Sequence, residues 1–146
     1  VGFLVMVPNL VGLVMMIIIS RSSDHKLERR WHTAAPAIIG GVACLSFGAS
    51  DSFLLSIALL SLLAVGIYGA AGPFWTLPSQ FLSGFSAASG IAVVSLSASL
   101  GGFAGPYAVG LIGQRTGGLR GGVILAGLAL LVLASLVLLL PKRPRA

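Results

Sequence analysis

The sequence predicts an all-α integral membrane protein with five spanning helices, and three observations carry that reading. Of the 146 residues, 57% are hydrophobic and 8% charged, with a mean hydropathy of +1.06. A soluble domain of ordinary composition carries about 25% charged residues. The charges also cluster, in residues 21–30, at Asp51, at Arg115 and Arg120, and in the tail from Lys142 to Arg145. Between them lie apolar runs near the ~20 residues that cross a bilayer. A soluble core would scatter its charges.

The first span covers residues 1–20 and is apolar except for Pro8-Asn9. An intramembrane amide faces protein or water rather than lipid. Asn9 therefore either bonds across a helix–helix contact or lines a cavity. Residues 21–32 (RSSDHKLERRWH) form a dense charge cluster, with Arg21, Lys26, Arg29 and Arg30 against Asp24 and Glu28. A short basic loop of this kind belongs on the cytoplasmic side. His25 and His32 stand seven apart without a third ligand in suitable spacing, so no metal site is expected. The lone Cys44 forms no intrachain disulfide.

The second span, residues 33–50, ends at the acidic turn Asp51-Ser52, as an outside turn should. The third, residues 53–82, is too long for one straight perpendicular helix; tilt and breaks at Gly72-Pro73 and Pro78 are expected to absorb the excess. A tight turn at residues 83–86 leads to the fourth span, residues 87–113. The turn at residues 114–120 (QRTGGLR) precedes a plain fifth span, residues 121–140. Four spans separate the basic loop from the basic tail, which puts both on one face with seven Lys/Arg, against only Arg115 and Arg120 opposite. The parity agrees with the positive-inside rule and sets the C-terminus in the cytoplasm.

The stretch from Gly69 to Pro106 organises the rest. It joins two apolar segments interrupted by Gly and Pro through a chargeless turn. Helix breakers are tolerated at membrane depth where neighbouring helices, hydroxyls or cavity water satisfy the freed backbone. In the third span Tyr68, Trp75 and Ser79 lie at i, i+7 and i+11 on one face, with Gly72 leaving room beside the ring. Seven residues follow Trp75 before Ser83, which sets the ring within the bilayer, where it would pack on a solute. In the fourth span Ser97, Gly101 and Gly105, and likewise Ala98, Gly102 and Pro106, recur every four residues, a spacing that lets helices approach closely. Ser95 and Ser99 share a face and could offer hydroxyls to the same solute.

The net charge of +6 does not indicate nucleic acid, because basic residues at span ends follow from membrane topology. None of the five spans contains Asp, Glu, Lys, Arg or His. No nucleophile–base pair or paired carboxylates appear there, so an enzyme is not expected, nor is a cofactor. Proton relays use intramembrane ionisable groups. Either a solute bound there is neutral or the ionic groups lie in a missing part of the chain. The chain opens on Val1 inside an apolar run, without a signal-peptide pattern, and reads as a fragment.

The run GPFWTLPSQFLSGFSAASGIAVVSLSASLGGFAGPYAVG, preceded by SRSSDHKLERRWH, resembles the anion:cation symporter family of the major facilitator superfamily. Bacterial members take up sugar acids, tartrate, phthalate and related organic acids with protons. The resemblance covers nearly the whole chain and implies the C-terminal half of the fold, helices eight through twelve of twelve, in a bacterial inner membrane. It implies that Asp24, Glu28, Arg29 and Arg30 occupy charged positions of the cytoplasmic gating loop, in which Leu27 replaces a usual Gly and His25 a usual Arg. It implies that Trp75 and Thr76 line the substrate cavity, with Ser95 and Ser99 where Asn residues are common. The candidate solute-contacting set is thus Asn9, Tyr68, Trp75, Thr76, Ser79, Ser95 and Ser99. The expected partners are a small organic anion, a proton, the lipid bilayer and the missing N-terminal half. A drug or neutral-sugar carrier of the same fold, or a membrane scaffold subunit, are the alternatives.

Overall fold

A computed structural model describes residues 2–47, 52–78, 84–118 and 120–141. Five helices account for most of them: α1 (Gly2–Lys26), α2 (Arg29–Ser46), α3 (Phe53–Thr76), α4 (Phe85–Thr116) and α5 (Arg120–Leu139). Asp51 and Ser79, the turn up to Ser83, and the basic tail from Lys142 lie outside the described residues.

Helix α3 is the hub. Helices α1 and α2 both pack along it, α2 also packs on α5, and α4 leans mainly on α5. The order follows from side-chain size. In lipid no hydrophobic force draws helices together, so small residues that allow close backbone contact decide which faces meet. Helix α2 carries two such faces. A Cβ built on Gly40 would lie 2.8 Å from the Gly66 Cα of α3. One built on the adjacent Gly41 would lie 3.0 Å from the Gly127 carbonyl oxygen of α5. Ala34, Ala37, Ala70 and Ala134 fill the core around these crossings.

Four of the five helices are long and apolar enough to cross a membrane; α2 is not among them. The expected second span is therefore weaker in composition than its neighbours. Its first turn holds Arg29 and Arg30, and its packed faces are Ala and Gly rather than Leu and Val. A helix wedged between α3 and α5 needs less lipid-facing bulk, and α2 buries eight residues, including Thr33, Pro36 and Cys44.

Three boundaries differ from expectation. Residues 21–32 are not an open loop: α1 runs to Lys26 and α2 starts at Arg29, leaving Leu27 and Glu28 as the connection. Leu27 adopts φ 51° there, a left-handed conformation that a glycine takes without steric cost. The Gly72-Pro73 pair does not break α3, which continues through Pro73 to Thr76, and α4 likewise contains Pro106. Packed neighbours tolerate proline inside a membrane helix. Finally, the small-residue faces of α4 do not pack against the described residues. α4 has no buried residue, and Cβ atoms built on Gly101, Gly102 or Gly105 would meet nothing within 4 Å.

Candidate functional site

Two polar groupings stand out against the apolar bundle. The first lies at its basic end. Arg29 and Arg30 open α2, and their long side chains reach the C-terminal ends of two other helices. Arg29 Nη1 donates to the Thr76 carbonyl of α3 at 3.3 Å, while Nη2 lies 3.6 Å from Asp24 Oδ1 of α1. Arg30 Nε donates to the Val137 carbonyl of α5 at 3.4 Å, and Nη2 donates to that of Leu138. The last carbonyls of a helix lack intrahelical donors and carry the negative end of its dipole, so a guanidinium is an apt cap. Ser22 Oγ and His32 Nε2 lie 3.1 Å apart across α1 and α2, and Ser23 Oγ donates to the Glu28 carbonyl at 3.4 Å. Thr33 and Ser23 are fully buried beneath the charges.

The charged quartet of the expected gating loop therefore divides. Asp24, Arg29 and Arg30 tie α1, α3 and α5 to the start of α2. Glu28 contributes its backbone in the extended α2 N-cap, where its side chain makes no cap bond. The Arg pair's carbonyl contacts were not legible from sequence, because their acceptors lie 47 and more than 100 residues away. No group of three His, Cys, Asp or Glu suited to a metal occurs among the described residues.

The second grouping lies deeper. Tyr68 Oη of α3 donates to Asn9 Oδ1 of α1 at 2.9 Å, and the pair is exposed on the surface of this chain. A Cβ on Gly12 would lie 2.5 Å from Tyr68 Cδ2, so the phenol ring lies over a glycine of α1. Tyr68 precedes Thr76 by eight residues, or about 12 Å of helix. Asn9 precedes Arg21 by twelve, or about 18 Å. With a hydrocarbon core of about 30 Å, both estimates put the pair near mid-depth.

Trp75 and Thr76 lie elsewhere. Helix α3 has 24 residues, about 36 Å, which already exceeds the bilayer core. Trp75 is next to its last residue, one position from the carbonyl that Arg29 binds, and is 45% exposed. The ring thus sits at the charged end of α3, which ends at Thr76. It meets Phe74 edge-on at 5.9 Å, and Thr76 Oγ1 donates to the Pro73 carbonyl at 2.7 Å. The room expected beside Trp75 at Gly72 is taken by Ser20 of α1.

Ser95 and Ser99 are exposed on α4, where Ser99 Oγ donates to the Ser95 carbonyl at 3.0 Å. With α4 resting mainly on α5, these hydroxyls are not brought to the α1–α3 face that holds Tyr68. Among the described candidates, Asn9 and Tyr68 are joined directly across two helices. Their meeting depends on Gly12, a contact signalled in sequence only by a glycine three residues after an intramembrane Asn.

Comparison with known proteins agrees with a transport role. The chain is 39% identical over 144 residues to a protein of Agrobacterium vitis named as a tartrate transporter, covering 97% of this chain and 32% of that protein. It is 34% identical over 131 residues to a quinolone resistance transporter of Acinetobacter baumannii, covering 90% and 30% respectively. It is 32% identical over 144 residues to the metabolite transport protein NicT of Pseudomonas putida, covering 98% and 33%. No protein-family model matches the chain, and no solved structure matches it closely. The chain spans about a third of the length of these curated relatives.

Helices of membrane-crossing length make the chain an integral membrane protein, and its relatives are named as transporters. Over nearly its whole length the chain is similar to one part of these bacterial transporters.

Proposed function

We propose that the chain is the C-terminal part of a secondary active transporter that takes up small organic anions with protons by alternating access. The observation that carries the reading is the Tyr68–Asn9 pair. Polar groups at mid-depth face protein or water rather than lipid, and secondary transporters hold their substrates near the midplane. A tyrosine hydroxyl and an asparagine amide can hydrogen-bond the carboxylate and hydroxyl oxygens of a sugar acid or tartrate. The first-named relative supports that substrate class.

Asp, Glu, Lys, Arg and His stand only near the ends of the described helices, so the groups that couple protons and neutralise an anion would belong to the N-terminal half, with which this chain would enclose the pathway. Helix α4, whose face is uncovered here, is the natural contact for that half and would bring Ser95 and Ser99 to the solute. Trp75 and Thr76 would then line the pathway's cytoplasmic mouth, beside the gating charges Asp24, Glu28, Arg29 and Arg30. The basic end faces the cytoplasm of a bacterial plasma membrane by the positive-inside rule. The protein is a carrier and not an enzyme.

A drug carrier of the same fold is the second reading, favoured by the quinolone resistance relative. The test is uptake by the complete transporter in vesicles with an inward proton gradient, using labelled tartrate and a labelled quinolone. Accumulation of tartrate that collapses with the gradient, and at least ~tenfold slower uptake by Asn9→Ala, is the expected result, corresponding to loss of one polar partner at mid-depth. Quinolone movement without tartrate uptake would replace the organic-anion reading with the drug-carrier one. Full tartrate uptake by Asn9→Ala would remove the pair from the pathway.

A further inference from the structure

Helices α1 and α2 both rest on α3 but touch each other much less, which leaves an open groove between them. The groove has a volume of about 310 Å³ and is lined by Met15 and Ile19 of α1, by Trp31, His32 and Pro36 among others of α2, and by Val65 of α3 at its floor. Its wall is almost entirely apolar; its polar members, Trp31 and His32, stand at one end. That end is the basic one. Met15, Ile19, Ser22 and Lys26 follow at i, i+4, i+7 and i+11 along α1, so Lys26 continues the groove face beyond the apolar part. Ser22 belongs to that face, being in hydrogen-bond contact with His32.

The charge at this mouth is unbalanced. Arg29 and Arg30 are engaged with helix carbonyls, and Asp24 lies against Arg29. Arg21 and Lys26 are exposed. Across residues 21–30, four Lys/Arg stand against two acidic residues. An amphipathic Trp at the mouth is the residue type that settles at headgroup level.

We infer that this groove holds an acyl chain of an anionic phospholipid, with its headgroup at Lys26 and Trp31. The shape supplies an apolar slot about as long as the distance from Trp31 to Ile39, and the mouth supplies positive charge where the headgroup lies. Basic pockets between membrane helices recognise anionic headgroups in this way. A zwitterionic lipid would fill the slot but gain little from Lys26. The inference requires that the helices lie in a bilayer and that the groove faces lipid in the complete protein, and it stands apart from the choice of transported solute.

Two variants of the complete transporter, with any tryptophan outside this segment replaced by Phe, test it by fluorescence quenching in phosphatidylcholine vesicles containing a small share of acyl-brominated lipid. Trp75→Phe leaves Trp31 as the groove reporter; Trp31→Phe leaves Trp75, at the same charged end but outside the groove. Brominated phosphatidylglycerol is expected to quench Trp31 at several-fold lower mole fraction than brominated phosphatidylcholine. Trp75 is expected to show no such difference, and Lys26→Gln to reduce the Trp31 preference about fivefold, the factor one basic residue contributes at an anionic surface. Equal quenching of Trp31 by the two lipids overturns the inference. An equal preference at Trp31 and Trp75 also overturns it, since that would be general attraction to a basic surface. Mass spectrometry of the unsubstituted chain released from mixed vesicles gives an answer free of variants. Retained phosphatidylglycerol supports the site, and equal retention of both lipids or of neither rules it out.

Discussion

Arg29 of α2 donates to the backbone carbonyl of Thr76 at 3.3 Å, closing the end of α3 with a charge that also faces Asp24 of α1. One side chain thus couples three helices, one of them 47 residues away in sequence. The ion pair contributes little by itself, since Asp24 is 68% exposed and exposed pairs are worth about 0–1 kcal/mol. The carbonyl bond matters more, because a helix end shielded by neighbours has no water to replace it.

Removing that guanidinium therefore weakens the bundle. Arg29→Ala is expected to lower stability by about 1–3 kcal/mol, the cost of a lost charged hydrogen bond, in unfolding by denaturing detergent. Asp24→Asn is expected to cost less than about 1 kcal/mol. Equal effects of the two substitutions would show that the ion pair, and not the helix cap, is the important contact.

The α2–α3 crossing sets a second test. Gly66 allows no side chain, since a Cβ there would lie 2.6 Å from the Gly40 Cα. Gly66→Val is expected to destabilise by about 1–3 kcal/mol or more, as overpacking does. Gly101→Ala, on the uncovered face of α4, is expected to change the stability of this chain by less than about 0.5 kcal/mol. The same detergent titration reads both. A large loss from Gly101→Ala would mean that α4 packs on another helix of this chain.

At the α1–α2 connection Leu27 holds φ 51°. A left-handed conformation costs a side-chain-bearing residue about 1–2 kcal/mol, and glycine escapes that cost at the expense of some chain entropy. Leu27→Gly is expected to be neutral or to stabilise by up to about 1 kcal/mol. A clear loss of stability would show that the exposed leucine side chain has a partner in the membrane.

Gly72 and Ser20 give a fourth, reciprocal test. A Cβ at Gly72 would overlap Ser20 Oγ. Gly72→Ala should destabilise by about 1–3 kcal/mol, and Ser20→Gly in the same chain should recover most of that loss. Thermal unfolding of the four chains in a double-mutant cycle measures the coupling. Additive effects would rule out the contact.

The residues show unevenly what they do. Asn9 announced itself, because an amide in an apolar run needs a partner, but the sequence offered no means of choosing Tyr68 as that partner. Trp75 sat on the expected face of α3 together with Tyr68, yet its depth was misjudged. The length of the apolar run extended the span to residue 82, whereas the helix ends at Thr76. The basic run of residues 21–32 read as a loop because charge at a span boundary resembles connecting sequence. Most of it is helix, and its arginines serve helix ends that linear spacing cannot reveal.

Composition alone determined that this is a helical membrane protein, since an apolar chain with charges confined to short clusters can satisfy its backbone in lipid only as helices or a closed barrel, and runs near 20 residues select helices. The expected sidedness of the basic clusters rests on the same spacing. Only the tertiary structure decided which helices touch. Lipid treats apolar faces alike, so the pairing rests on local clearances, such as Gly40 against Gly66 and Gly12 beneath Tyr68. Those clearances brought Tyr68 to Asn9, set Arg29 on Thr76, and left α4 uncovered on the face where its small residues recur.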